Sequence, residues 1–219
     1  MIDLSRAPRK PFAHQVAGVE KLIQLTEPES GRIYPGCFGL FDEMRLGKSA
    51  QVIMAAQVLF EQGVLSTVIV VSPASVRDVW YDPELGEITK HHWPGLPIFV
   101  QEYHSRTREW TKNYTSGQPF LRYVITNYEY IRYSLKRNRN GWSSPHLEPL
   151  LRVGPKSMLV LDESSAVGNF SSLQSRACTA LRQKCDQVVL LNGTPYGENP
   201  EAIFAQAKLM DHRIFGMSH

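Results

Sequence analysis

Gly47, Lys48 and Ser49 follow an apolar run in FGLFDEMRLGKSAQVIMAAQVLF, residues 38–60. A strand, a tight glycine turn and a helix in that order aim backbone N–H groups and the positive end of a helix at one point, which suits a phosphate chain. On this reading Met44, Arg45, Leu46 and Gly47 form the loop, Lys48 brings a cation to the β and γ phosphates, and Ser49 brings a hydroxyl to Mg2+. That ion takes octahedral oxygen ligands and keeps several waters. The strict spacing GxxxxGK followed by Ser or Thr is not met, because Asp42 stands where the first glycine belongs and Arg45 where a small residue is common. By itself the segment also permits a plain helix-entry turn at Gly47 with Lys48 in solvent.

A second cluster lies far downstream. SMLVLDE, residues 157–163, is an apolar β-rich run ending in two adjacent carboxylates. Asp162 is placed to hold Mg2+ through its water shell, and Glu163, pointing elsewhere, to orient and deprotonate an attacking water. The plain alternative is a solvated strand end. The catalytic set expected from these two clusters is Lys48, Asp162 and Glu163, with Ser49 and Asp162 at the metal.

Hydrophobic periodicity supplies the elements that bring them together. Helices are expected near 14–25, 48–61, 75–82, 172–183 and 199–209, and strands near 38–41, 67–72, 98–102, 122–126, 157–161 and 187–191. Such alternation implies right-handed βαβ units, hence an α/β fold with a mainly parallel sheet flanked by helices on both faces. Polar motifs directly follow the strands at Asp42–Ser49, Ser72–Ser75, Thr126–Tyr128, Asp162–Ser165 and Gly193–Pro195. In an open parallel sheet the carboxyl ends share one edge, so these segments converge on one crevice.

In sequence order these motifs resemble the first RecA-like lobe of the SWI/SNF-like DNA-dependent ATPases of helicase superfamily 2. DEMRLGKS corresponds to the family's DEMGLGKT, with Arg45 as the odd residue, and PFAHQ to the adenine-reading Q motif with Gln15. VVSPASVRDVW corresponds to motif Ia, VITNYEYI to motif Ib, DESS to the DExx box and LLNGTPYGENPEAIF to motif III. The resemblance implies ATP and Mg2+ as cofactors and DNA, in duplex form, as partner. It also implies backbone contacts to one DNA strand near Ser72, Ser75, Asn127 and Tyr128, and a coupling role for Gly193 and Thr194. Departures are Gly168 before Asn169 where Lys-Asn is common, Ser165 for the frequent His, and Asn192 for Ser or Thr. Residues 1–219 are expected to form one ATP-binding domain. Motifs IV to VI belong to a second RecA-like lobe, so weak hydrolysis is expected from this lobe alone.

Gln15 also permits a cap or a solvated side chain, but its amide offers the donor and acceptor that pair with adenine N7 and N6. Phe12 or Arg9 is a candidate for packing on the purine, and Trp80 is assigned to the core. The net charge of +3 does not by itself indicate nucleic acid. Its distribution is more telling: residues 104–152 carry nine Lys or Arg against three acids, interleaved with Trp110, Tyr114, Tyr128, Tyr130, Tyr133 and Trp142. That suits a phosphate-tracking surface, although SLKRNRNGWSSPH also reads as a solvated loop.

Three cysteines without a CxxC, and seven histidines without ligand spacing, indicate neither a disulfide framework nor a transition-metal site. With 42% hydrophobic residues, 219 residues bury one sizeable core. No apolar run reaches the roughly 18 residues of a membrane span, so a soluble intracellular protein is expected, cytoplasmic or, in a eukaryote, nuclear. The function expected is the ATP-binding lobe of a DNA translocase. Alternatives are a non-catalytic ATP-gated DNA-binding or partner-recruiting module, an RNA helicase, and a P-loop small-molecule phosphotransferase.

Overall fold

The computed structural model describes residues 2–24, 36–104, 118–139, 141–196, 201–211 and 214. Along the chain these form α1 (Ala13–Gln24), β1 (Cys37–Leu40), α2 (Lys48–Glu61), β2 (Thr67–Ser72), α3 (Arg77–Tyr81), α4 (Glu87–His91), β3 (Ile98–Glu102) and β4 (Leu121–Asn127). They continue with α5 (Tyr128–Arg132), β5 (Lys136–Asn138), β6 (Gly141–Ser143), α6 (Glu148–Leu151), β7 (Ser157–Leu161), a 3-10 turn (Ser164–Val167), α7 (Leu173–Arg182), β8 (Gln187–Leu191) and α8 (Glu201–Met210).

Six strands pair in the order β1-β8-β7-β2-β4-β3. Every neighbouring pair in this sheet is parallel. The central strands are apolar throughout because both faces are covered, and strand periodicity divides their side chains between two cores. Val68, Val70, Met158, Val160, Val189 and Leu191 join α1 and α2 in one core. Ile69, Val71, Leu159, Leu161, Val188 and Leu190 join α5 and α7 in the other.

Helix α2 is buried on nearly all sides from Ala50 to Leu59, as a helix at the centre of a layer must be. Its buried Gln57 is satisfied: Nε2 donates to the carbonyls of Ile53 and His91, while Oε1 accepts from Trp93 N. Cys178 and Cys185 are buried and Cys37 is half-buried, all as free thiols. None of the described helices is long and apolar enough to cross a membrane.

One expectation needs correction. The basic stretch taken for a loop contains an antiparallel hairpin, β5 with β6, in which Arg137 pairs with Trp142. Trp142 gives this hairpin a packing anchor, since the Arg176 guanidinium of α7 lies 4.6 Å over its ring. Lys136, Arg137 and Asn138 remain exposed. The basic residues 106, 108 and 112, with Trp110 and Tyr114, lie outside the described residues.

Candidate functional site

The loop between β1 and α2 is built to bind through its backbone. Gly47 caps α2 in the left-handed region (φ 76°), no side chain caps the helix, and no acid occupies its first turn. Its first N–H groups are thus left for an anion rather than spent on a side-chain oxygen. Met44, Arg45 and Leu46 turn their side chains to solvent. The loop is pinned from α1: Gln15 Nε2 donates to Leu46 O at 3.1 Å, and Gln15 Oε1 accepts from Phe12 N at 3.0 Å. His14 Nε2 also lies 3.1 Å from Leu46 O. A Cβ at Gly47 would sit 2.4 Å from Gln15 Nε2, so glycine is required there by space as well as by φ.

Gln15 therefore ties the Q motif to the phosphate loop. Its amide still has one N–H and one lone pair for a purine edge. Phe12 beside it is 69% exposed and stacks on His14, with ring centroids 5.9 Å apart. Lys48 Nζ donates to the carbonyls of Asp42 (2.8 Å) and Glu43 (2.9 Å), which hold the ammonium in the mouth of the loop with a third N–H to spare. Asp42, the residue in place of the first glycine, accepts from Gln51 Nε2 at 3.0 Å and so ties the loop to α2.

Asp162 lies at the end of β7 and is buried, with both carboxylate oxygens engaged: Oδ1 accepts from Glu163 N at 3.0 Å and Oδ2 from Trp80 Nε1 at 2.7 Å. Burial raises its pKa, opposed by the Trp80 and Glu163 hydrogen bonds and by the charge of Lys48. Glu163 is also shifted upward, by burial first and then by the adjacent Asp162 charge, with Lys48 again opposing. Strands β1, β8 and β7 are parallel neighbours, with Leu40 opposite Leu191 and Leu161 opposite Leu190, so the loop after β1 and the two acids after β7 leave the same edge of the sheet. Glu163 stands in the left-handed region (φ 49°) and is half-buried, whereas Asp162 is buried.

Motif III touches the same place. A Cβ on Gly193 would lie 2.9 Å from Met44 Cγ, so this turn rests closely against the loop between β1 and α2. Thr194 N donates to Asn192 Oδ1 at 3.0 Å, which closes the turn. The DExx segment is joined to it through α8: Ser164 Oγ and Gln206 Oε1 are 2.6 Å apart, and Gln206 Nε2 donates to Pro195 O at 2.8 Å. This buried link supplies the connection that Ser165, exposed in place of the usual His, does not make.

The four residues expected near a DNA strand differ in exposure. Ser75 is exposed, whereas Ser72, Asn127 and Tyr128 are buried. Asn127 Oδ1 accepts from Tyr130 N and caps α5. Tyr128 donates from its hydroxyl to Asp162 O at 2.9 Å. Trp80 is core, as read, but it is also a hydrogen-bond donor to the site, which its position in the sequence does not signal.

Residues 14–219 match the SNF2-related domain family. Protein CHROMATIN REMODELING 25 of Arabidopsis thaliana is 28% identical over 93% of this chain and 21% of its own length. DNA repair and recombination protein RAD26 of Saccharomyces cerevisiae is 26% identical over 86% of this chain and 19% of its own. The Sulfolobus solfataricus SWI2/SNF2 ATPase core in complex with dsDNA shares the fold, with a TM-score of 0.70 at 18% identity, covering 99% of this chain and 39% of that one. The chain thus spans about a fifth of the length of these curated relatives. With its RecA-like parallel sheet and its strand-end motifs in order, it belongs to the SNF2-related domain family.

Proposed function

We propose that this chain is the ATP-binding lobe of a DNA-dependent ATPase that moves along duplex DNA, acting with a second RecA-like lobe. The observation that carries this reading is the parallel pairing of β1, β8 and β7, with Leu40 opposite Leu191 and Leu161 opposite Leu190, which brings the loop bearing Lys48 and the strand end bearing Asp162 and Glu163 to one edge of the sheet. The residues fit Mg-ATP. An uncapped, acid-free helix N-terminus faces the loop, and both oxygens of Asp162, each with one donor, keep a lone pair for metal-bound water.

Mg2+, when bound, neutralises charge on the β and γ phosphates. Ser49 and Asp162 would hold it, the first directly and the second through water. Lys48 contacts the same phosphates, and the loop N–H groups from Arg45 to Ser49 orient them. Glu163, half-buried beside Asp162, orients the attacking water and takes its proton; its raised pKa makes it a better base at a given ionised fraction. Gln15 reads the purine edge and Phe12 covers its face. Gly193 and Thr194 report changes at the phosphate loop to motif III. DNA lies along the exposed side of α3, beginning at Ser75, and along the cationic hairpin beyond α5. Acting on DNA places the protein inside the cell, in the cytoplasm or a nucleus.

An arginine finger contributes about 10³ to 10⁵ in rate in related phosphoryl transfers, and the resemblance assigns that arginine to motif VI of the second lobe. Slow turnover is therefore expected from residues 1–219. Phosphate release with and without duplex DNA, compared between residues 1–219 and the product extended by a second lobe, tests this. DNA-stimulated turnover confined to the longer product is expected. Equal, high turnover in both, or no Mg-dependent binding of a fluorescent ATP analogue, would overturn the reading.

A further inference from the structure

Asp162 is gripped from both faces of the sheet. Trp80 reaches it from the core that holds Val68 and Val70, and its indole N–H donates to Oδ2 at 2.7 Å. Tyr128 reaches it from the opposite core, with Ile69 and Val71, and its hydroxyl donates to the main-chain oxygen at 2.9 Å. Both side chains are buried, at 0% and 1% exposure, and so cannot swing away without leaving a cavity.

Each donor rides on an element with an outward surface near the proposed DNA path. Trp80 lies on α3, which opens two residues after the exposed Ser75. Tyr128 is the first residue of α5, which Asn127 caps and which leads through the exposed Arg132 into the hairpin bearing Lys136 and Arg137. Past Asp162, the chain turns through Glu163, a non-glycine residue at φ 49° whose N–H is held by Asp162 Oδ1. A small shift of α3 or α5 therefore moves the Asp162 carboxylate or its carbonyl, and with it the direction in which Glu163 points. Packed cores pass on such shifts because they are not continuously deformable.

We propose that Trp80 and Tyr128 are positioning residues that couple DNA on α3 and α5 to the carboxylates of Asp162 and Glu163, so that duplex DNA and Mg-nucleotide each tighten the binding of the other. This rests on the reading of the chain as a DNA-dependent ATPase lobe. Linkage requires the two effects to be equal: the factor by which nucleotide strengthens DNA binding is the factor by which DNA strengthens nucleotide binding.

The test is the affinity of the 219-residue chain for a fluorescent duplex, by anisotropy, with and without saturating Mg-ATPγS. The reciprocal measurement uses a fluorescent nucleotide. Wild type is expected to show a ratio within the usual range of about 5- to 150-fold. Trp80→Phe keeps an aromatic ring and deletes the indole donor; Tyr128→Phe deletes one oxygen. Each is expected to bring the ratio below about 2-fold, where the coupling free energy is under roughly 0.4 kcal/mol. Tyr123→Phe removes another buried hydroxyl, one with no hydrogen-bond partner, and is expected to leave the ratio unchanged. Circular dichroism melting establishes that each variant is folded, and if Trp80→Phe is not, the one-atom change at Tyr128 carries the test. A ratio retained in Tyr128→Phe and Trp80→Phe, or lost equally in Tyr123→Phe, overturns the coupling. A wild-type ratio near one overturns it while leaving the ATPase reading intact, whereas wild type binding neither ligand overturns both.

Discussion

Arg45 occupies the one phosphate-loop position where the sequence departs from the family's glycine, and the backbone there has φ 66°. A residue with a Cβ in the left-handed region carries about 1–2 kcal/mol of strain. Glycine would remove it, while the freer unfolded chain offsets about 0.4–1 kcal/mol of the gain. Arg45→Gly is therefore expected to stabilise the fold by about 0.5–1 kcal/mol, the difference of those two effects. For a domain of this size that is a rise in Tm of about 1–4 °C. The Arg45 side chain is exposed and makes no hydrogen bond or ion pair among the described residues, so its loss should contribute little. Arg45→Ala separates the two causes because alanine keeps the strain and loses the guanidinium; its Tm should stay within about 1 °C of wild type, in line with other surface substitutions. Differential scanning calorimetry of the three proteins in one buffer reads both numbers. Arg45→Ala as stable as Arg45→Gly, or Arg45→Gly melting below wild type, would refute the backbone argument.

Glu163→Gln should cut phosphate release by about 10² to 10⁴ while Mg-ATP still binds, because it removes the proton acceptor and not a phosphate contact; single-turnover hydrolysis beside nucleotide titration checks this. Gly18→Ala would set a Cβ 1.8 Å from Gln51 Oε1, and Gln51 is the residue that holds Asp42. Urea unfolding should show a loss of about 1–3 kcal/mol from overpacking, accompanied by weaker nucleotide binding. Gln206→Leu strands the buried Ser164 hydroxyl, costing about 1–3 kcal/mol, and frees the half-buried Pro195 carbonyl; the same unfolding assay applies. Replacing Lys136 and Arg137 together by Ala should lower the slope of log K against log salt for duplex binding by up to about 1.8, at about 0.9 for each phosphate no longer neutralised. An unchanged slope would remove the hairpin from the DNA path.

The fold was legible because its signals are local. Apolar runs of four to seven residues, separated by helical patterns, mark the six parallel strands, and the order of polar motifs at their ends follows from connectivity alone. The segments that carry Lys48, Asp162 and Glu163 leave the same edge of the sheet for that reason. The short elements were not legible: α4, α5 and α6 have four or five residues each, too few for a period to show. The hairpin was hidden by its composition, since Lys136, Arg137 and Asn138 carry no alternation of apolar and polar residues, and its inner side comes from Trp142, packed against the second core under the Arg176 guanidinium.

A different kind of information was missing for Ser72, Asn127, Tyr128 and Trp80. Each sits where a motif predicts a contact or a core residue, but what its polar atom meets is decided by strand register. In the sheet Val71 is opposite Leu161, and Ser72 is opposite Asn127, so the ends of β2, β4 and β7 stop in line. Asp162 N then donates to Val71 O, which extends the ladder one step past β7 and brings the aspartate level with Asn127. From that level Tyr128, one residue past β4, and Trp80, eight past β2, can both reach it. A slip of one residue in either pairing would send each side chain to the other face, parting both donors from Asp162 even with every motif left unchanged. Pairings between residues 55 and 90 positions apart, Ser72 with Asn127 and Val71 with Leu161, thus determine whether both donors reach Asp162, and the parallel ladder shapes the candidate site as much as the loops it carries.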